Sequence, residues 1–165
     1  ARDRLLAENL LQNSSSRTTR IYCRLILTRL EGLTPSMLRF VAEGTEELAR
    51  MTLFAALLRA SDLVADFVDD VLLTKVRLFE PTLQRTDWVR FLEERATVDP
   101  SINEWSESSR KKMAQVVFRM LAEAGYLEST RTLKILFPAV PPELVAALEA
   151  IGDGRTLRLL QLGRG

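Results

Sequence analysis

Between Thr45 and Ser61 the apolar side chains do not keep to one side. Leu48, Met51, Leu53, Phe54, Leu57 and Leu58 cover most of the circumference of a helix, and a helix that is apolar nearly all round is stable in water only when other helices enclose it. The rest of the chain has to supply those helices, and its punctuation marks them out. Thr45 followed by Glu46 and Glu47 opens the central segment, with a capping hydroxyl and two acids at the positive helix end. Before it, Thr34-Pro35 starts a helix that Gly44 stops, the proline lacking only an N–H that would have no helical partner. Earlier still, Ser14-Ser15-Ser16 interrupts an amphipathic piece (Leu5, Leu6, Leu10, Leu11) and caps a helix running to about Glu31.

Downstream, Ser61-Asp62 starts a helix rich in Leu, Val and Phe that must end before Pro81. Thr86 caps a short helix to about Arg95, Asp99-Pro100-Ser101 reads as a turn, and a long helix spans about Ser106 to Ala124 before Gly125 ends it. Thr132 to Phe137 reads as a short strand. A helix from about Pro142 to Ala150, a Gly152-Asp153-Gly154 turn and a last helical piece complete the chain. The expected fold is mainly α: a compact multi-helix protein, either with an N-terminal helical bundle over residues 1–80 and a winged-helix-like helical part over 81–165 carrying at most one short β-hairpin, or with the two as one continuous helical domain.

Composition narrows the function classes. With 165 residues, 47% of them hydrophobic, a core forms without help, since a domain of this size hides roughly 70% of the surface its unfolded chain exposes. Cys23 stands alone, which rules out an internal disulfide or a Cys-based zinc site and suits a reducing cytoplasm. Histidine is absent, so Ser-His-Asp and Cys-His catalysis and His-ligated zinc are excluded. The glycines sit at helix ends, turns or the C-terminus and form no phosphate loop. Ser108, Ser109, Lys111 and Lys112 are adjacent, but nothing in their surroundings would lower a lysine pKa for catalysis. No stretch free of charge exceeds eight residues, whereas a membrane-spanning helix needs about 20 mostly apolar ones. Neither enzyme activity, cofactor, metal nor membrane is expected.

The charge is polarised although the net is only +1. Residues 1–40 hold seven arginines against three acids, residues 41–80 hold eight acids against four bases, and residues 105–134 hold six bases against three acids. Such segregation focuses a field on one face. On a helix, Arg17, Arg20 and Arg24 fall within an arc of about 60°, opposite Tyr22, Leu25, Ile26 and Leu30. Lys111, Lys112, Gln115 and Arg119 share an arc of about 100°, opposite Met113, Val116, Val117, Met120 and Leu121. Guanidinium groups so spaced suit successive phosphates. Each stripe is equally what a solvated face paired with acids looks like. The long helix followed by Gly125 and a strand carrying Arg131 and Lys134 resembles the helix-plus-wing order of winged helix-turn-helix modules.

Asp62, Asp66, Asp69 and Asp70 also share one helical face, in the manner of an Asp-rich magnesium site. No second acidic cluster faces them in the sequence, so they are expected to pair with Arg59 or Lys75. Trp88, Trp105 and Tyr126 lie among apolar neighbours and are expected in the core, not stacked on bases.

The segment VVFRMLAEAGYLES from Val116 to Ser129, with Arg131-Thr132-Leu133 after it, resembles the BrxA family of the BREX bacteriophage-exclusion systems. ENLLQ at Glu8 to Gln12, RLFEP at Arg77 to Pro81 and Trp88 with Phe91-Leu92 match in the same order, over nearly the whole chain. Family members usually carry a further segment ahead of this, so the resemblance implies a chain lacking part of that N-terminal region. It further implies a helical accessory protein that binds double-stranded DNA without catalysing a reaction and works beside other BREX subunits. It supplies no DNA-contacting positions. The candidates are those of the pattern: Arg17, Arg20, Arg24, Lys111, Lys112, Gln115, Arg119, Arg131 and Lys134. The rival readings are a scaffold subunit of the defence complex and an RNA-binding helical protein similar to antitermination factors.

Overall fold

The computed structural model describes residue 30 and residues 32–162. Several of its helices begin where a side chain takes up a free backbone N–H. In α1 (Pro35–Glu43) the Thr34 hydroxyl accepts from Met37 N at 3.3 Å. In α2 (Glu46–Ala60) Thr45 does the same for Leu48 N at 3.2 Å, and Ser61 then opens α3 (Asp62–Asp66) through Val64 N at 3.4 Å. Between α1 and α2, Gly44 is required by space, because a Cβ there would collide with the Phe40 carbonyl oxygen.

As its pattern demands, α2 is enclosed. Leu48, Met51, Phe54, Leu57 and Leu58 are buried, and the buried Thr52 hydroxyl donates to Leu48 O at 2.7 Å. α1 and α3 flank it, and the last two helices, α7 (Pro142–Ala150) and α8 (Gly154–Leu160), return from the far end of the chain to pack on it. Leu53 departs from expectation: it is 44% exposed, so the apolar circumference is not closed on that side among the described residues. Tyr126 ties the end of the chain down. Its hydroxyl donates to Leu160 O at 2.8 Å, its ring packs 5.1 Å from Phe54, and burial pushes its phenol well above the ordinary tyrosine value.

The helix after Ser61 is not regular. A π-helical turn over Phe67–Leu72 separates α3 from α4 (Leu73–Arg77). The wider turn brings residues five apart onto one face, and the pairs Phe67 with Leu72 and Val68 with Leu73 are accordingly all buried. Phe67 then sits at the centre of an aromatic cluster, with ring centroids 5.1 Å from Trp88, 5.3 Å from Phe91 and 6.1 Å from Phe118.

α5 (Arg85–Arg95) begins two residues earlier than a cap at Thr86 implies, because Asp87 caps it from within, accepting from Gln84 N at 2.6 Å. Asp87 is buried, and Lys75 compensates it at 3.2 Å while also meeting Glu80 at 2.5 Å. Burial opposes the Lys75 charge, but hydrogen bonds to Glu80 and Asp87 outweigh it and hold the ammonium above the usual lysine value. A 3₁₀ turn (Pro100–Glu104) capped by Asp99 takes the place of the expected simple turn. It leads into α6 (Glu107–Glu123), opened by Ser106 and ended at Gly125 with φ +86°.

The expected strand at 132–137 contracts to a pinned turn. Thr82 bridges to Lys134 and Leu127 to Ile135, each as an isolated pair. Leu133 at φ +53° bends the backbone out of extended geometry on one side and Pro138 removes an N–H on the other. No helix among the described residues is long and apolar enough to cross a membrane.

Two expectations follow from this fold. Phe79 stands at φ +58° and 93% exposed just after α4. Phe79→Gly should therefore raise the unfolding free energy by about 0.5 kcal/mol, since relief of left-handed strain exceeds the added unfolded-state entropy; urea titration measures it, and a loss of stability would mean that the ring makes contacts its exposure denies. The raised Lys75 value makes its contribution complete below pH 10.5 and lost as the pH climbs through the folded-state value. The stability difference between the wild-type chain and Lys75→Met should accordingly narrow on the alkaline side of that pH in urea titrations, while staying constant from pH 7 to 9.

Candidate nucleic-acid interface

The register of α6 is set by Ser106, whose hydroxyl accepts from Ser109 N at 3.2 Å. From that start Val117, Phe118 and Leu121 turn inward and are buried, and Met113 and Met120 are half-buried. Lys111, Lys112, Gln115 and Arg119 are all exposed on the outer face. Val116, expected with the inward residues, is itself exposed and lies beside the polar stripe.

The four outer residues differ in electrostatic standing. Lys111 pairs with Glu107 at 2.6 Å, and that hydrogen bond together with the ammonium charge holds Glu107 below the usual carboxylate value. The pair is therefore ionised and locally neutral at pH 7. Lys112 and Arg119 have no carboxylate within ion-pair distance among the described residues. Seven positions apart on one helix, they share a face with Gln115 between them.

The second group of candidates lies on the loop after Gly125. Ser129 shapes it, its hydroxyl accepting from Arg131 N at 3.3 Å and Thr132 N at 3.1 Å. Arg131 is exposed and has no ion pair among the described residues, whereas Lys134 lies 4.0 Å from Glu128, the outer limit of pairing. Arg85, at the start of α5, connects the two groups. Its guanidinium donates to Thr130 O at 3.2 Å, and it lines one cavity with Lys111 and Gln115. It is the cation that sequence reasoning missed, since it belongs to no basic run and its loop contact lies 45 positions away. Arg17, Arg20 and Arg24 lie outside the described residues.

The family model BrxA matches residues 1–152. The chain belongs to the BrxA family. It is 31% identical over 155 residues to the BREX protein BrxA of Paramagnetospirillum magneticum, covering 94% of this chain and 78% of that one. It is also 31% identical over 159 residues to the BREX protein BrxA of Escherichia coli O9:H4, covering 96% and 75%. The crystal structure of an uncharacterized protein from Magnetospirillum magneticum is similar with a TM-score of 0.86 at 29% identity, over 98% of this chain and 83% of that one. The BREX phage-defence systems are thus the setting of this chain.

In this BrxA chain the acidic face is consumed by structure. Asp66 forms an ion pair with Arg95 at 2.5 Å through one oxygen and accepts from Arg155 at 2.6 Å through the other; Asp62 shares Arg155 at 3.4 Å and Asp69 takes Arg158 at 2.6 Å. The expected partners are engaged elsewhere: Arg59 with Asp153 at 2.9 Å and Lys75 with Glu80 and Asp87. Asp70 is left beside its neighbours, and desolvation, then the charges of Asp66 and Asp69, push its carboxyl up. Among the described residues no group of three acidic, cysteine or histidine side chains is arranged to hold a metal ion. Trp88 and Tyr126 are in the core, as their neighbours suggested, and Trp105 is half-buried.

Asp66 joins three helices through two arginines. Asp66→Asn should cost about 1–2 kcal/mol, the worth of charge-assisted hydrogen bonds on a mostly buried carboxylate. Urea unfolding measures that loss, and millimolar magnesium should leave the melting temperature of the wild-type chain unchanged.

Proposed function

We propose that this BrxA chain is a non-enzymatic, double-stranded DNA-binding accessory protein of its BREX system, acting in the cytoplasm. The observation that carries the reading is the outer face of α6, where Lys112 and Arg119 are exposed without carboxylate partners among the described residues. Arg85 and Arg131 extend the same chemistry toward the loop. Guanidinium and ammonium groups spaced along one helix face bind successive phosphates, and they do so without reading sequence. Gln115, between the two cations, is the residue placed to reach a base edge. The other candidate phosphate contacts are Lys111, Lys134, Arg17, Arg20 and Arg24. If about five phosphates are neutralised, log K falls with log salt at a slope of about −4 to −5.

A second reading has its own observation. Leu78 and Phe79 are 63% and 93% exposed on one turn, which favours a scaffold subunit that offers an apolar knob to another component.

The test separates the two. The Lys112→Glu, Arg119→Glu double variant should weaken duplex binding tenfold or more and flatten the salt slope by about 2, with the melting temperature unchanged. Gel-shift titrations at several salt concentrations measure both quantities. Unaltered affinity in a folded double variant would overturn the DNA reading, and capture of BREX subunits that survives the charge reversal but is lost in Phe79→Asp would favour the scaffold.

A further inference from the structure

Leu53 is 44% exposed on a helix that is otherwise enclosed, and it lines a groove of about 780 Å³ between α2 and α6. One wall is a single stripe of α2, in which Glu46, Ala49, Leu53 and Leu57 follow one another at steps of three and four residues. Met120 and Glu123 of α6 belong to the other wall. Apolar surface left open to water in this way favours an apolar occupant.

The chain itself leads into the groove. Leu30, at the start of the described residues, is helical and lines it. Arg59, in the last turn of α2, donates to Gly32 O, and Leu33 is buried, so Leu30 lies toward the Leu57 end of the stripe and away from Glu46. Residues 17–29 lie outside the described residues, but their sequence predicts a helix. Continued back from Leu30, that helix puts Leu27, Ile26 and Cys23 on the Leu30 side. At 1.5 Å per residue, the stripe from Leu57 back to Glu46 and the line from Leu30 back to Thr19 are both about 16 Å long. Matched end to end, Ile26 falls against Leu53, Cys23 against Ala49 and Arg50, and Thr19 against Glu46.

Charge agrees with that match. Residues 17–30 hold four arginines and no acid. Glu43, Glu46 and Glu47 cluster at the Thr19 end of the groove, exposed and paired with no base among the described residues.

We propose that residues 17–30 form a helix seated in this groove parallel to α2, with Leu30, Ile26 and Cys23 turned inward. The seat closes α2 on its open side and leaves Arg17, Arg20 and Arg24 on the outer side of the docked helix. Because Met120 of the α6 wall adjoins Arg119, the two basic stripes of the sequence come to lie on adjacent helices. The inference does not rest on the DNA reading, since Lys112 and Arg119 are not in the groove walls.

Cross-linking of the full chain tests the register. In a Cys23→Ser background, Ile26→Cys with Leu53→Cys should join within one chain on mild oxidation, as a disulfide needs Cα atoms within about 7 Å. Ile26→Cys with Glu46→Cys, about 10 Å further along the groove, should join at least tenfold less; non-reducing gels and peptide mass mapping read both yields. Should the cysteine pair not fold, Leu53→Glu at its half-exposed position provides a second measurement. In that variant the thiol of Cys23 should react with a thiol reagent at least tenfold faster than in the wild-type chain, with the melting transition retained. Equal yields from the two cysteine pairs, or unchanged Cys23 reactivity in folded Leu53→Glu, would overturn the proposal. A disulfide between two chains would overturn it too, because a second copy would then fill the groove.

Discussion

A helix with almost no polar side dictates the rest of this molecule. Because α2 is apolar around most of its girth, neighbours are needed on several sides, and the chain meets that need by bringing α7 and α8 back from its far end. Once the interior is committed to a central rod, charged side chains are driven outward unless they are paired as Lys75 and Asp87 are, and which charges remain available is decided by how the returning helices meet α3 and α5. The arginines of α8 arrive where the aspartates of α3 and the π turn lie, and the two sets cancel. The outer face of α6 meets no such acidic helix among the described residues.

Similar residue types therefore do different work according to what packs beside them. Arg155 and Arg158 hold helices together; Lys112 and Arg119 are exposed and pair with no acid among the described residues. A count of basic residues along the sequence cannot separate these cases. The same holds for acids. Asp66 is shared between two guanidiniums and Asp87 lies under Lys75, while Asp70, four and one positions from like charges, has its carboxyl pushed up by burial and by those neighbours. Duplex binding by α6 is consistent with this partition, because phosphates select cations that no carboxylate has claimed.

Much of the architecture was legible in the sequence because it is written in local chemistry. Thr34, Thr45, Ser61 and Ser106 cap the helices their positions promised, and Gly125 takes the left-handed turn expected of it. What was not legible depends on contacts between distant segments. The π turn at Phe67–Leu72 exists because Phe67 must reach Trp88, Phe91 and Phe118, and no periodicity within its own helix announces that. Arg85 was overlooked for the same reason, its partner being a carbonyl on a loop. The partners of the aspartate face were misjudged because short-range spacing favours Arg59, whereas Asp153 draws Arg59 away. Exposed Leu53 shows the limit of reading a full apolar circumference as full burial.

The stretch around Lys134 has a consequence for solubility. A longer extended segment there would present a row of open amides and carbonyls, the template on which copies of a protein add to one another edge to edge. Here the backbone is tethered on one flank to Thr82 and on the other to Leu127, by one pair each, and the left-handed Leu133 and Pro138 keep it from lengthening. A chain that gathers at high local density on a polymer would gain from such blunting, because crowded neighbours find no unsatisfied strand on which to begin a fibre.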